Sequence, residues 1–295
     1  MGFKCAYPAH FFVSYFLKAY KKGGIDVRKL LTIAGSDSIG GAGIEADLKT
    51  FCALGVYGMC VITAVTAQNT VGVFDVREMD ADIIKKQIDC VFEDTEVDAV
   101  KIGMVSSGEI IDAIASSLKI WNPKNVVLDP VMISKSGYYL LKEDAIDALK
   151  TKLLPMADII TPNIPEACEL TGMNIEGIED MKEAAKKIID MGVKAVVVKG
   201  GHSVENATDV FYDGSEFLLL PQERIDTKNT HGTGCTYSSA IASYLGRGFS
   251  LKDAVINAKS YITEAIKNSL EIGKGVGPVG HLVDLYKKAG IDYED

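Results

Sequence analysis

Residues 229–236 read NTHGTGCT, and a run of small residues from Tyr237 to Leu245 follows them. The glycines let the backbone turn sharply, so that consecutive N–H groups point at one spot, and the helix predicted from Gly234 to Leu245 adds its positive N-terminal end there. Such a turn binds an anion and stabilises negative charge that develops during a reaction. A thiol on this helix N-terminus, Cys235, ionises more readily than a free one. The stretch therefore predicts a phosphate site with a base beside it.

A second glycine-rich stretch, residues 31–50, reads LTIAGSDSIGGAGIEADLKT and predicts an apolar strand, a loop and a helix. No Gly-Lys-Ser/Thr ends the loop, so it does not fit the P-loop pattern. Nor do its glycines fit the dinucleotide fingerprint, since no ribose-binding acid lies at the right distance. An isolated glycine-rich turn most often only caps a helix. Its function therefore depends on what else the fold brings to it.

The remainder of the chain alternates between predicted strands and helices. The strands are expected at 29–34, 57–66, 99–103, 126–129, 159–161 and 195–199, with a hairpin over 209–220 that turns at Asp213-Gly214. The helices are expected at 42–54, 81–92, 109–119, 181–191, 234–245 and 251–270. This alternation predicts a mostly parallel sheet covered on both faces, with ligands bound beyond the carboxyl ends of the strands. The residues expected to follow strands are Gly35, Gln68, Gly103, Asp129, Asn163 and Gly200.

The composition agrees with a soluble enzyme. The chain has 295 residues, of which 47% are hydrophobic and 24% charged, enough for a large core. The net charge of -9 and the lack of a basic patch argue against nucleic-acid binding. Six cysteines form no CxxC pair and no Cys/His metal spacing, which predicts reduced, buried thiols in a cytosolic protein.

Residues 1–28 do not fit the alternating pattern. Their apolar centre, FFVSYFL at 11–17, is too short to span a membrane, and no small-residue cleavage site precedes Lys18. We interpret residues 1–28 as an N-terminal extension without a catalytic role, with an amphipathic surface helix as the alternative.

Seven motifs, in this order, resemble the ribokinase-like superfamily, and within it the hydroxymethylpyrimidine (phosphate) kinase branch, which also includes some pyridoxal kinases. The motifs are AGSDSIGGAGIEADLKT, TAVTAQNT, KIGM, VVLDPVM, ITPNIPEA, VVVKGGH and NTHGTGCT. The resemblance implies a ribokinase-like three-layer α/β/α sandwich with a mostly parallel central sheet, formed by a single domain over residues 29–295. Most of the wider superfamily carries Asp where this chain has Cys235, and the Cys is typical of the pyrimidine branch.

The resemblance also implies roles for individual residues. The catalytic residues would be Cys235 as the base, with Gly232, Thr233 and Gly234 around the transferred phosphoryl group. Residues implied to bind the metal are Asp129 and Glu166. Residues implied to bind ATP are Asn163, Lys199 and Thr230. Residues implied to bind the substrate are Gly35, Asp47, Gln68, Met104 and Val131.

Each of these residues also has a purely structural interpretation. Cys235 would be a small residue that packs at the helix start, and Asp129 would cap a turn before Pro130. Glu166 would be an ordinary acid in a first helical turn, and Lys199 a solvated cation. Asp47 would be an exposed helix residue, and Met104 and Val131 plain core residues. His202 is expected to lie in a turn and has no part in the chemistry.

The resemblance implies an ATP- and Mg²⁺-dependent kinase of the pyrimidine branch of thiamin synthesis, acting on 4-amino-5-hydroxymethyl-2-methylpyrimidine and its monophosphate. It implies a cytoplasmic protein, commonly a homodimer, without nucleic-acid or membrane partners. The alternatives are a pyridoxal kinase and, more remotely, a non-catalytic nucleotide or vitamin sensor. Gln68 favours the pyrimidine, because one amide supplies both the donor and the acceptor that its amino group and ring nitrogen need.

Overall fold

The computed structural model describes residues 27–132, 143–201 and 207–291. Within these ranges the strands are β1 (Lys29–Asp37), β2 (Tyr57–Gln68), β3 (Val73–Glu78), β4 (Ala99–Ile102), β5 (Val126–Leu128), β6 (Ile159–Ile160), β7 (Ala195–Val198), β8 (Asp209–Tyr212) and β9 (Phe217–Leu220). The α-helices are α1 (Gly43–Ala53), α2 (Ala81–Asp94), α3 (Gly108–Trp121), α4 (Glu143–Ala148), α5 (Ile164–Thr171), α6 (Ile178–Asp190), α7 (Thr233–Gly246), α8 (Leu251–Lys267) and α9 (Val283–Lys288). A π-helical turn, Leu149–Leu153, and a 3₁₀ turn, Leu154–Met156, continue α4.

All nine strands form one sheet in the order β3-β2-β1-β4-β5-β6-β7-β8-β9. The six strands from β2 to β7 in that order run parallel, while β3 at one edge and β8 and β9 at the other pair antiparallel. The sheet grows from β1 in both directions, because β2 lies on one side of β1 and β4 on the other. Loops that leave neighbouring strands in opposite directions open a crevice at the carboxyl edge of the sheet.

The strand residues alternate between two buried cores, one on each face of the sheet. Leu31 and Val126 pack with α2, α3 and α6 on one face, whereas the adjacent Leu30 and Val127 pack with α1, α7 and α8 on the other. Strands buried on both faces need an apolar residue at nearly every position. The α/β/α sandwich and its mostly parallel sheet are therefore confirmed.

Several elements differ from the prediction for local physical reasons. Strand β1 continues three residues beyond the predicted Ala34, and a register shift between Ala34 and Ser36 places Gly35 inside the strand instead of after it. Strand β3 was not predicted because it is an edge strand whose polar and exposed residues hide the alternation. Helix α5 was not predicted because Pro165 lies near its start, where proline is tolerated. Helices α4 and α9 were not predicted either, and each has only six residues.

The five cysteines in the described part of the chain are free, as predicted, but the expectation that they are buried is wrong. Cys52 and Cys90 are exposed, and Cys60, Cys168 and Cys235 are partly exposed. Phe51 faces the core from α1, so Cys52, turned by about 100° around the helix, faces solvent. In the described part of the chain, every helix is too short or too polar to cross a membrane. Nearly all of the predicted extension, and His202, lie outside the described residues.

Candidate active site

A cavity of about 590 Å³ opens at the carboxyl edge of the sheet, within the size range of small-molecule sites. Near β1 and β2 its wall includes Gly35, Gln68, Met104 and Val131. Residues 232–235, with Asp129 and Lys199, line its middle. Near α8 it is bounded by residues 222–227, Lys259, Ile262, Thr263 and Ile266. The motifs from distant parts of the sequence therefore meet in one cavity.

Two glycine-rich loops touch each other at the centre of the cavity. Gly232 has φ of 77°, and a Cβ atom there would overlap the carbonyl oxygen of Gly41. Gly43 has φ of 56°, and a Cβ atom there would overlap the carbonyl oxygen of Gly35. Only glycine combines these left-handed conformations with so close an approach. As a result, the N-termini of α1 and α7 lie against each other.

A side-chain hydrogen bond joins the same two loops. Nε2 of His231 lies 2.8 Å from Oδ2 of Asp37, which also accepts hydrogen bonds from the backbone N–H groups of Gly41 and Ala42. Burial by itself would raise the pKa of Asp37, but hydrogen bonds from His231, Gln68 and Ala42 and the charge of His231 lower it to about 2. Asp37 and His231 were missed as site residues. The signal was available, because each lies within a motif quoted above.

The start of α7 has the properties of an anion site. The N–H groups of Thr233 and Thr236 donate to Thr230 O and Gly232 O. The N–H groups of Gly234 and Cys235 lie in the first turn of the helix, where N–H groups have no carbonyl acceptor within the helix. Both residues line the cavity. Thr230 lines the cavity too, and its carbonyl oxygen accepts the Thr233 hydroxyl at 2.8 Å. The predicted residues 232–235 thus come together around one point.

The Cys235 thiol lies where the two helix N-termini meet. The backbone N–H of Gly43, in the first turn of α1, is close enough to the sulfur to oppose the rise in its pKa. Burial raises the pKa of the thiol to about 11 and the charge of Lys101 opposes this increase. Cys235 is therefore protonated at neutral pH in this form, and the prediction that it ionises more readily than a free thiol is wrong because burial outweighs the stabilising effect of the nearby cation and helix ends.

Asp129 and Lys199 form an ion pair beside the start of α7. Nζ of Lys199 lies 3.0 Å from Oδ1 of Asp129, which also accepts the Thr161 hydroxyl, while Ser238 donates to Oδ2. Asp129 is buried, but Lys199 and Lys101 hold the pKa of its carboxyl below its usual range. A Cβ on Gly234 would lie 3.3 Å from Nζ of Lys199, so the ammonium group is next to the anion site.

Glu166 caps helix α5, as its structural interpretation predicts. Its Oε2 accepts the N–H of Asn163, and the Asn163 side chain accepts the N–H of Glu166, a reciprocal capping box. Burial raises the pKa of Glu166 to about 7; Lys199 opposes this shift and Asp129 adds to it. Asn163 lines the cavity, whereas Glu166 lies behind it.

Among the described residues, no group of three or more His, Cys, Asp and Glu is arranged to hold a metal ion. Asp129 and Glu166 nevertheless influence each other's charge, with the ammonium of Lys199 near both. A pair of carboxylates suits Mg²⁺, which keeps several waters and takes its other ligands from substrate phosphates. The two acids therefore fit a magnesium site that a nucleotide would complete.

Asp47 lies beneath the cavity instead of along its wall. Its side chain is fully buried, so it is not the exposed helix residue of the structural interpretation. Its two oxygens accept four hydrogen bonds, two from Nζ of Lys101 and one each from the hydroxyls of Thr32 and Ser239. Asp47, which was predicted to bind the substrate, therefore already uses both carboxylate oxygens to accept hydrogen bonds from protein side chains. Lys101, in the KIGM motif, was not singled out as a site residue, although a lysine inside a buried strand was the available signal.

The remaining predicted substrate residues line the cavity near β1 and β2. Backbone atoms of Gln68 bond with the Ser38 hydroxyl, and its side chain reaches Asp37. Thr63 donates to the carbonyl of Met104, whose sulfur would lie 3.0 Å from a Cβ on Gly35. Because Gly35 has no side chain, the Met104 sulfur can approach its backbone closely. Val131 completes the set of lining residues.

The chain matches proteins of known activity over most of its length. The model of the family described as phosphomethylpyrimidine kinase matches residues 37–280. A hydroxymethylpyrimidine/phosphomethylpyrimidine kinase of Rhizobium meliloti (strain 1021) is 54% identical over 261 residues, which cover 87% of this chain and 98% of that protein.

Two solved structures are similar to the structure of this chain. A phosphomethylpyrimidine kinase from Clostridium difficile 630 is 55% identical with a TM-score of 0.74, covering 81% of this chain and 100% of that chain. An ADP complex of Bacillus subtilis pyridoxal kinase is 44% identical with a TM-score of 0.82, covering 87% of this chain and 98% of that chain.

The Asp37–His231 pair predicts a pH-dependent stability. Because the folded-state pKa of Asp37, about 2, lies below its ordinary value of 3.8, Asp37 stabilises the fold above about pH 4, and this contribution is lost as the pH falls toward 2. Asp37→Asn should lower the free energy of unfolding by about 2 kcal/mol at pH 7, and the difference from wild type should narrow below pH 4. Urea unfolding between pH 7 and 2.5 measures it, with the exposed Asp190→Asn as control. A difference that is constant with pH would contradict this account.

Proposed function

This chain belongs to the phosphomethylpyrimidine kinase family, and we propose that it transfers the γ-phosphoryl group of ATP to 4-amino-5-hydroxymethyl-2-methylpyrimidine and to its monophosphate in thiamin biosynthesis. The observation that carries the proposal is the position of Cys235, at an anion site in the middle of a cavity that extends to both sides. A ring substrate fits near β1 and β2, and a nucleotide fits toward α8. Their reacting ends would then meet at Cys235.

The transfer is in-line. The hydroxymethyl oxygen forms a bond to the γ-phosphorus as the bond from that phosphorus to the β–γ bridging oxygen breaks, and ADP leaves. The hydroxyl proton passes to Cys235 in its thiolate form, which is a minor species at neutral pH and is favoured by the charge of Lys101. The N–H groups of Gly234 and Cys235 and the ammonium group of Lys199 stabilise the charge on the transferred group. In the second reaction a phosphate oxygen takes the place of the hydroxyl at the same point.

Mg²⁺, when bound, would neutralise part of the charge on the nucleotide phosphates. Asp129 is the residue that would hold it, directly or through water, with Glu166 as the second carboxylate. Lys199 now pairs with Asp129, and on nucleotide binding it would exchange this partner for a phosphate oxygen. Asn163 and Thr230, both on the cavity wall, would lie along the path of the nucleotide.

The second candidate is a pyridoxal kinase, favoured by the similarity to the Bacillus subtilis structure. Gln68 supports the pyrimidine instead, because its amide matches an edge that carries an amino group beside a ring nitrogen. A ³¹P NMR assay of the wild-type protein with ATP and Mg²⁺ would separate these functions. We expect turnover of the pyrimidine alcohol and its monophosphate at a higher kcat/KM than pyridoxal. A preference for pyridoxal would support the second candidate, and no turnover of any ring would support a sensor.

We also propose that the protein is a cytoplasmic homodimer. Val65, Val71 and Phe74, on or between β2 and β3, are 48%, 62% and 69% exposed, so this edge of the sheet presents apolar side chains to solvent. Such surfaces on soluble proteins often mark interfaces. Sedimentation velocity should give twice the chain mass for wild type and the chain mass for Phe74→Glu, with Phe249→Glu, at another exposed site, as control. A monomeric wild type would refute the dimer.

Cys235→Ala should lose most of kcat while the KM for ATP changes little. A general base acts mainly in the transition state, and its removal typically lowers the rate by about 10²–10⁴-fold. Cys235→Asp should recover part of the activity, because a carboxylate also accepts the proton. Steady-state kinetics measures both, and Cys52→Ala, on the exposed face of α1, should keep the wild-type kcat. A near-normal kcat in Cys235→Ala would remove the thiol from the mechanism.

Asp129→Asn and Glu166→Gln should each raise the Mg²⁺ concentration that gives the half-maximal rate, because each removes a negative charge from the proposed metal site. Glu166→Gln is informative because glutamine preserves the capping box. The control is Glu169→Gln, an exposed position on the same helix. Unchanged Mg²⁺ titrations in both variants would show that the two acids are structural.

Gln68→Met should reduce kcat/KM for the pyrimidine alcohol by about 5- to 150-fold. Methionine keeps the bulk of glutamine but leaves the polar ring edge without a partner, at a cost of roughly 1–3 kcal/mol. Pyridoxal lacks the amino group and should lose less. Gln222→Met, at the opposite end of the cavity, should change kcat/KM for the two ring substrates by the same factor. If Gln68→Met lowers kcat/KM for both substrates by the same factor, Gln68 does not select the ring.

A further inference from the structure

A fully buried ion pair lies beneath the proposed base, between the sheet and helices α1 and α7. Lys101 is in the middle of β4, and its Nζ is 2.8 and 2.9 Å from the two oxygens of Asp47. Neither side chain is exposed to solvent. Such a pair contributes little net stability compared with apolar residues of similar size, because desolvation opposes the attraction between the charges. Its presence at this position therefore calls for a chemical explanation.

The geometry connects this pair to Cys235. Asp47 lies four residues after Gly43 on α1, and Ser239 lies four residues after Cys235 on α7, so each is one helical turn below its counterpart. In the upper layer the N–H of Gly43 faces the thiol. In the lower layer the Ser239 hydroxyl donates to Asp47 at 2.7 Å. Lys101, bound to Asp47, is thus about one helical turn from the sulfur.

We propose that Lys101 is a positioning residue for the phosphoryl transfer, whose buried positive charge favours the thiolate of Cys235, while Asp47 holds the ammonium in place and limits its effect. The proposal rests on the proposed function of Cys235 as the base. Lys101 is fully buried and is not among the residues that line the cavity. It therefore acts on the reaction through the thiol instead of through contact with the substrate.

The other charged groups around the thiol are accounted for. Asp129 faces it from the end of β5 and opposes ionisation, as Asp47 does from α1. Lys199, just beyond the end of β7, also interacts electrostatically with the thiol. Its ammonium group is paired with Asp129, and in the proposed reaction it would contact the nucleotide phosphates. Lys101 has the largest favourable effect on the thiolate, and it exceeds the unfavourable effect of Asp47. The net influence of the buried pair is therefore to promote ionisation.

The test is the rate at which iodoacetamide alkylates Cys235 between pH 6 and 10, followed on the Cys235 peptide by mass spectrometry without substrate. Asp47→Asn keeps the size of the side chain and leaves the charge of Lys101 uncompensated, so alkylation at pH 7 should be about tenfold faster than in wild type. Lys101→Met/Asp47→Asn removes both charges, and its Cys235 should be alkylated at least about threefold more slowly than in wild type. Lys194→Met/Asp158→Asn removes an ion pair at the opposite edge of the sheet and should match wild type.

Equal rates in Asp47→Asn and the Lys101→Met/Asp47→Asn variant would overturn the proposal, because a structural role does not give opposite changes. Should Asp47→Asn not fold, as judged by circular dichroism, the comparison of the double variant with wild type decides, and a rate at or above wild type overturns the proposal. Failure of the proposed function is a separate result. It would be seen as a normal kcat in Cys235→Ala, whereas the order of alkylation rates does not depend on turnover.

Discussion

The contact between two glycine-rich loops at the carboxyl edge of the sheet is the constraint on which the rest of the site depends. Gly232 lies against the carbonyl of Gly41 in the other loop, and within that loop Gly43 lies against the carbonyl of Gly35, at distances that exclude any side chain. The Asp37–His231 pair holds the loops together. Because of this contact, the N-termini of α1 and α7 converge on the Cys235 thiol, and fixed N–H groups face the point at which charge would develop.

The charges around this point are arranged in layers. Lys199 is level with the anion site, between Asp129 and Glu166, and a nucleotide with its metal would rearrange this group. Lys101 and Asp47 lie below and are sealed from solvent. We therefore propose that the upper charges serve binding and that the lower ones serve the ionisation of the base. This separation explains why an ion pair that adds little stability is placed under the first turns of two helices.

Much of this arrangement could be predicted from the sequence. Apolar strands alternating with helices predicted the parallel sheet, and positions at the ends of predicted strands placed Gln68, Asp129 and Asn163 at one edge. What the sequence could not predict depends on contacts between distant segments. Asp47 reads as an exposed helix residue until α1 is placed against β4, where Lys101 meets it. The bulge that puts Gly35 inside β1 and the capping box of Glu166 are likewise local geometry that spacing alone does not reveal.

A crystal structure with the pyrimidine alcohol, Mg²⁺ and a non-hydrolysable ATP analogue tests the central claim most directly. The account predicts that the hydroxymethyl oxygen lies within about 4 Å of the Cys235 sulfur, in line with the γ-phosphorus, as a near-attack arrangement requires. The terminal phosphate should contact the N–H groups of Gly234 and Cys235, and the ring edge should face Gln68. A hydroxymethyl group turned away from Cys235, or a terminal phosphate held elsewhere in the cavity, would contradict the account.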